Sequence, residues 1–233
     1  MRKGILADVL LPLVAAAAVT VALSASGADL VIASFFYEPG AGWPHGRSEP
    51  WLFLYRYGNI PSLALGAIAL AVFLLSFFVE RFRPERAAAL FVAAFLALGP
   101  GLVVNTVFKD NWGRPRPADI VQFGGTETYR PAWSPGEPKQ GRSFPSGHAA
   151  IGFFLMAPFF VLRRRAPGLA RKALAAGILY GTMMGLARMI QGGHYLTDVI
   201  WSGVLVYITG LVLYYLFRLD RAAVVQCLVR TFR

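Results

Sequence analysis

Residues 61–108 read PSLALGAIALAVFLLSFFVERFRPERAAALFVAAFLALGPGLVVNTVF, and the fold class follows from how this stretch divides. Two continuously apolar runs, from Pro61 to Val79 and from Ala87 to Phe108, flank a short polar hinge that carries Arg81, Arg83 and Arg86. A helix needs about 20 apolar residues to cross a hydrocarbon core. Neither run alternates polar and apolar residues with period two, so a membrane β-barrel does not fit. The stretch therefore predicts two transmembrane helices joined by a tight basic loop. Gly99-Pro100-Gly101 within the second run predicts a kink, because proline removes a backbone donor and crowds the preceding turn.

Four further runs of the same kind extend the pattern in both directions: Ile5 to Ala25, Ser146 to Leu162, Ala173 to Ile190 and Val199 to Phe217. The expected fold is all-α: a polytopic membrane protein, a bundle of six transmembrane helices forming a single domain over residues 1–233. Composition agrees, with 56% hydrophobic and only 15% charged residues, an excess of apolar side chains that water does not accommodate. The formal net charge of +11 does not point to nucleic acid, because the basic residues fall in short clusters between apolar runs. The single cysteine, Cys227, excludes an internal disulfide framework and a multi-cysteine metal site. Arg2 and Lys3 followed by an apolar stretch and the small residues near Gly27 also resemble a secretory signal over residues 1–27. The stretch is longer than a signal core, which favours a retained helix.

Orientation is set by the loops. With the N-terminus in the cytoplasm, fourteen of the 23 basic residues collect in short cytoplasmic loops and tails, including Arg81, Arg83, Arg86, Arg163, Arg164, Arg165 and the tail 218–233. The positive-inside rule then places both termini in the cytoplasm. The segments 26–60, 109–145 and 191–198 face outward, and the mix of aromatics and charge from Phe35 to Tyr57 fits an interfacial helix.

All the unusual polar residues gather at the outward ends of helices three to six. Lys109 ends the third run, and Arg114 and Arg116 follow in KDNWGRPRP (109–117). By themselves these are ordinary interfacial and loop cations. Phe144-Pro145-Ser146-Gly147-His148 opens the fourth run. Ser146 suits a helix N-cap, a helix start attracts anions, and Gly147 lets an oxyanion approach the backbone. His148 falls on the first turn. The third group is RMIQGGHYLTD (188–198). Asp198 stands four residues after His194, within reach on one helical face, where a carboxylate on one ring nitrogen leaves the other as a directed lone pair. Gly192-Gly193 lets the chain turn so that Arg188 and His194 address one point. Arg188 interrupts an apolar run, a costly placement that usually marks function. His45, in a Gly/Pro-rich loop, reads as a surface residue.

Taken together, Lys109-x6-Arg116-Pro117, Pro145-Ser146-Gly147-His148 and Arg188-x5-His194-x3-Asp198 resemble the three-part signature of the type-2 phosphatidic-acid phosphatase family, membrane-bound branch. Ala187 stands where that family usually has serine, a loss of one hydroxyl. The resemblance implies a metal-independent and cofactor-free lipid phosphatase. In it His194 forms a phosphohistidine, oriented by Asp198, with His148 as general acid and then base. Lys109, Arg116, Arg188, Ser146 and Gly147 hold the phosphate oxygens, and a clamp of this kind can replace a metal. Vanadate-dependent haloperoxidases resemble the same site but are soluble. A lipid-to-lipid phosphotransferase and a non-catalytic phospholipid-binding or transport protein are the other readings; simple binding needs cations but no nucleophile. The expected partner is a phosphorylated membrane lipid and the expected place the bacterial inner (cytoplasmic) membrane, with the active site facing the periplasm. Undecaprenyl diphosphate, phosphatidylglycerol phosphate, phosphatidic acid and lipid A phosphates are the substrate classes. The long outward loop 109–145, with Trp112-Gly113-Arg114 and Phe123-Gly124-Gly125, leans toward lipid A. Arg130, Lys139 and Arg142 make that loop either a lid for an anionic headgroup or a solvated surface.

Overall fold

The computed structural model describes residues 2–219, and among them every regular element is helical. Of the tail 218–233, residues 220–233, Cys227 included, lie outside the described residues. Helix α1 (Arg2–Ala25) and the short α2 (Ala28–Ser34) come first, followed by a 3-10 turn at Pro44–Arg47. Helix α3 (Trp51–Tyr57) runs almost directly into α4 (Ile60–Leu75). Helix α5 (Arg86–Leu96) then continues as a π-helical segment, Ala97–Phe108. Helices α6 (Gly147–Phe153) and α7 (Ala157–Leu162) are separated by one 3-10 turn, and α8 (Pro167–Ile190) and α9 (Leu196–Leu216) complete the bundle.

Five of these stretches are long and apolar enough to cross a membrane: Asp8–Ala25, Trp51–Leu75, Glu80–Phe108, Pro167–Ile190 and Leu196–Leu216. The protein is an all-α polytopic membrane protein. The sixth apolar run, Gly147–Leu162, is shorter, and its position accounts for that. It lies in the middle of the bundle, where α6 packs on α8, α9 and the π-helical segment. Ala149, Ala150, Phe154, Met156, Ala157 and Phe160 along it are all buried. By contrast, Leu11, Val14, Ile68, Leu179 and Leu216 on the outer helices are exposed apolar side chains, a surface suited to hydrocarbon.

The hinge expected after Val79 is tied by one of its own cations. Arg86 donates from Nε to the Ser76 hydroxyl at 2.9 Å, and its guanidinium lies over the Phe77 ring. Where a kink was expected at Gly99-Pro100-Gly101, the helix widens to a π-helix over Pro100. The wider turn makes room for the proline ring without breaking the run. The expected interfacial helix is two pieces, the 3-10 turn and α3, with α3 packed on α8. His45 is exposed and pairs with Glu38 at 3.3 Å.

Helix α8 approaches its neighbours through glycines spaced four apart. A Cβ on Gly177 would lie 2.4 Å from the Met156 backbone, one on Gly181 would lie 2.3 Å from the Phe153 ring, and one on Gly185 2.3 Å from Val199. Small residues at this spacing allow close helix contact in lipid, where packing replaces the hydrophobic drive. The result fixes α6 and the start of α9 against the polar end of α8. The segments carrying the unusual polar residues meet at that end.

Candidate active site

The loop 109–145 begins at Lys109, which is 9% exposed. Burial, then repulsion from Arg116 and Arg188, pushes its pKa down to about 8. Arg116 and Arg188 are half-buried, and the Nε of each is buried without a hydrogen-bond partner. Among the described residues no carboxylate stands within ion-pair distance of these three cations. Like charges brought together in a cleft without counterions form a site that an anion would complete. Glycines make the crowding possible. A Cβ on Gly147 would meet Asn105 Oδ1 at 2.5 Å and Lys109 Nζ at 3.2 Å, and one on Gly193 would meet Arg188 Nη2 at 2.3 Å.

Arg188 is held in place by residues that the sequence motifs did not indicate. Its Nη1 donates to Gln191 Oε1, and Gln191 in turn donates to the Gly46 carbonyl at 3.1 Å. The Arg188 guanidinium sits over the Tyr55 ring, 4.8 Å from its centroid. Tyr55 also stacks on His148, with ring centroids 5.0 Å apart. One tyrosine from α3 thus backs both the cation and the imidazole. Ser146 caps α6, its hydroxyl accepting from the Ala149 N–H at 3.4 Å, while its own N–H donates to the Asp198 carbonyl. The Gly147 amide stands at the first position of α6, where a helix leaves its N–H groups without intrahelical partners.

His194 lies in the turn between α8 and α9 rather than on a helix, because α9 begins at Leu196. It is 2% exposed. Its Nδ1 is 2.6 Å from the Ser143 carbonyl and 3.6 Å from Asp198 Oδ2. A carbonyl only accepts, so Nδ1 carries the ring proton and Nε2 keeps the free lone pair. The orienting role read for Asp198 is therefore shared: the backbone of Ser143 makes the short contact and the carboxylate lies just behind. Burial first, opposed by Asp198 and reinforced by Lys109, holds His194 down at about 3. The ring is neutral at physiological pH.

Asp198 is fully buried and well supplied with donors. Its Oδ2 accepts from the Ser143 hydroxyl at 2.6 Å and the Tyr195 N–H at 2.8 Å, and its Oδ1 accepts from Arg114 Nη1 at 2.5 Å. Arg114, read from sequence as an ordinary loop arginine, is one of the most deeply enclosed side chains of the protein. It donates as well to Asp29 Oδ2 at 2.9 Å, to the Thr197 hydroxyl at 2.8 Å and to the Arg130 carbonyl at 2.9 Å. Burial alone would lower its pKa, but Asp198 and Asp29 outweigh it and raise the group above its usual range. Arg130, Lys139 and Arg142 are exposed on the loop, and Arg142 pairs with Asp110 at 2.8 Å. The structure thus brings Lys109, Arg116, His148, Arg188, His194 and Asp198 to one place, sets Arg114 behind Asp198, and leaves Arg130, Lys139 and Arg142 exposed on the loop.

The PAP2 superfamily profile matches residues 88–222. The chain is similar to the lipid A 4'-phosphatase of Francisella tularensis subsp. novicida (strain U112), with 37% identity over 189 residues, 80% of this chain and 84% of that protein. It is 38% identical over 135 residues to the lipid A 4'-phosphatase of Rhizobium leguminosarum, covering 56% of each chain. It is likewise 38% identical over 121 residues to that of Rhizobium etli, covering 51% of this chain and 46% of the relative. No solved structure matches.

Proposed function

This chain belongs to the PAP2 superfamily and is a bacterial membrane lipid phosphatase, and from that premise we propose that it hydrolyses a phosphomonoester of lipid A, at the 4' position, through a phosphohistidine on His194. The observation that carries the reading is the group of three cations, Lys109, Arg116 and Arg188, gathered without carboxylate partners beside a neutral imidazole with a free Nε2. The choice of lipid A rests on the relatives named above.

In the first half-reaction Nε2 of His194 attacks phosphorus in line. The N–P bond forms as the ester P–O bond breaks; the leaving oxygen takes the bond's electron pair and a proton from His148, which the bound phosphate dianion holds in its imidazolium form and which is neutral afterwards. Lys109, Arg116 and Arg188, with the Gly147 amide and the Ser146 hydroxyl, hold the three equatorial oxygens. Charge spread over those oxygens is what fixed donors in a dry cleft stabilise, so the reaction needs no metal. In the second half-reaction His148 takes a proton from water, the water oxygen attacks the phosphohistidine, and inorganic phosphate leaves. Both termini lie in the cytoplasm, and the site faces the periplasm of the inner membrane.

The test uses protein purified in detergent, with His194→Ala beside it. Phosphate release is assayed in EDTA from lipid A, undecaprenyl diphosphate, phosphatidylglycerol phosphate and phosphatidic acid. The expected outcome is release from lipid A by the wild type and none by the variant. Equal release by both would remove the nucleophile assignment. Preference for another lipid would replace the substrate, and loss of substrate phosphate without free phosphate would identify a transferase.

A further inference from the structure

Asp29 stands on α2, outside the residues 88–222 that match the family profile, yet it is fully buried at the centre of the site's supporting network. Its Oδ2 accepts from Arg114 Nη2 at 2.9 Å and from the Thr197 hydroxyl, and its Oδ1 accepts from the Thr197 N–H at 3.2 Å. Arg114 has no other carboxylate partners than Asp29 and Asp198 among the described residues. The cluster of Asp29, Arg114 and Asp198 therefore holds two carboxylates against one guanidinium, one negative charge in excess, beside His194.

A buried charge left in excess is costly and persists where something offsets it. Lys109, close enough to feel the Asp198 charge, offsets part of it in the resting enzyme, and the neighbouring ring offsets more when it reacts. When Nε2 forms its bond to phosphorus, Nδ1 keeps its proton on the Ser143 carbonyl and the imidazole passes from neutral to cationic. A cluster made of Arg114 and Asp198 alone would be neutral, its carboxylate already compensated. Asp29 draws on the same guanidinium, so part of the Asp198 charge stays available to the ring.

We propose that Asp29 is a positioning residue for phosphoryl transfer: by sharing Arg114 with Asp198 it leaves the network one negative charge, which the phosphorylated His194 ring neutralises. The N-terminal helix pair thus completes the centre rather than only anchoring it. This rests on His194 being the nucleophile, as proposed above.

The test compares Asp29→Asn, which keeps the shape and loses the charge, with Asp29→Glu, which keeps the charge on a longer arm. Steady-state kinetics on a phosphorylated lipid A and rapid-quench labelling with the 32P-lipid are read for each, together with the thermal midpoint in detergent. The expected result is a fall in kcat and in the phosphoenzyme formation rate of Asp29→Asn on the order of tenfold to a hundredfold, with KM within about twofold. Asp29→Glu should retain more of the rate than Asp29→Asn. Wild-type kcat in Asp29→Asn would overturn the proposal. So would an Asp29→Glu as slow as Asp29→Asn, or losses in both variants that track their thermal midpoints, since either marks a role in shape alone. His194→Ala run in parallel keeps the two readings apart. If that variant still releases phosphate, the nucleophile is wrong; if it is silent while Asp29→Asn is unaffected, only the role of Asp29 falls.

Discussion

Lys109 is the cation whose charge the site itself makes conditional. Held at about 8 by burial and by Arg116 and Arg188, it loses its proton as pH rises through that value in the free enzyme. A bound phosphate favours the charged form, so the loss moves to higher pH once substrate is present. The expected outcome is a fall in kcat/KM above about pH 8, with the alkaline limb of kcat displaced upward, since the first reports free enzyme and the second the complex. Lys109→Arg keeps a permanent charge and should remove the fall between pH 8 and 10; a limb unchanged in that variant would assign it to another group. His194, held at about 3, contributes no acid limb above pH 5. The residues that touch substrate in this reading were legible because each motif states a residue type at a fixed spacing. The residues behind them were not. Arg114 has the same letters around it as a solvated loop arginine, and only burial separates the two. Asp29 meets Arg114 across 85 positions of chain, and the nearest partner of His194 is a backbone carbonyl, which no side-chain pattern encodes.

At the scale of elements, glycines separate what holds the helices from what shapes the site. A Cβ on Gly193 would meet the guanidinium end of Arg188, whose Nη2 lies 2.3 Å away and which can yield by giving up its contacts with Gln191 and Tyr55 rather than by moving backbone. Gly193→Ala should therefore fold with a thermal midpoint near wild type, while KM rises on the order of tenfold through loss of one aligned phosphate contact. A Cβ on Gly181 meets the body of the Phe153 ring, packed in the bundle with little room to move. Gly181→Leu should cost about 1–3 kcal/mol by overpacking. A thermal scan in detergent beside Gly193→Ala checks the contrast, and equal midpoints for the two would refute it. The helices themselves were legible from apolar run length, and the spacing of Gly177, Gly181 and Gly185 carries a packing signal in plain view. Which helices those glycines meet is a property of the assembled bundle. The π-helical form of Ala97–Phe108 was legible only as a disturbance at Pro100, because proline dictates a lost donor but not how neighbouring turns absorb it.

For the whole molecule, the bundle has two chemically different ends, and the proposed reaction needs them on opposite sides of the membrane. One end carries Arg81, Arg83, Arg86 and the Arg163-Arg164-Arg165 cluster in tight loops. The other carries the 109–145 loop and the cations of the site, which in the proposed reaction serve phosphate rather than topology. Discounting those cations strengthens the charge asymmetry, so the positive-inside rule favours a periplasmic site more firmly once the fold has grouped them. Single-cysteine labelling tests this directly. With Cys227 replaced by serine, Lys139→Cys sits on the exposed 109–145 loop and Arg164→Cys on the exposed turn between α7 and α8. A membrane-impermeant maleimide should reach Lys139→Cys when its access extends to the periplasm and the inner membrane is intact. Arg164→Cys should react only after that membrane is opened. The reverse pattern would put the three site cations and His194 in the cytoplasm. A phosphatase working on lipids there would meet them before export, and the assignment of the outward face would fall while the chemistry at His194 stood.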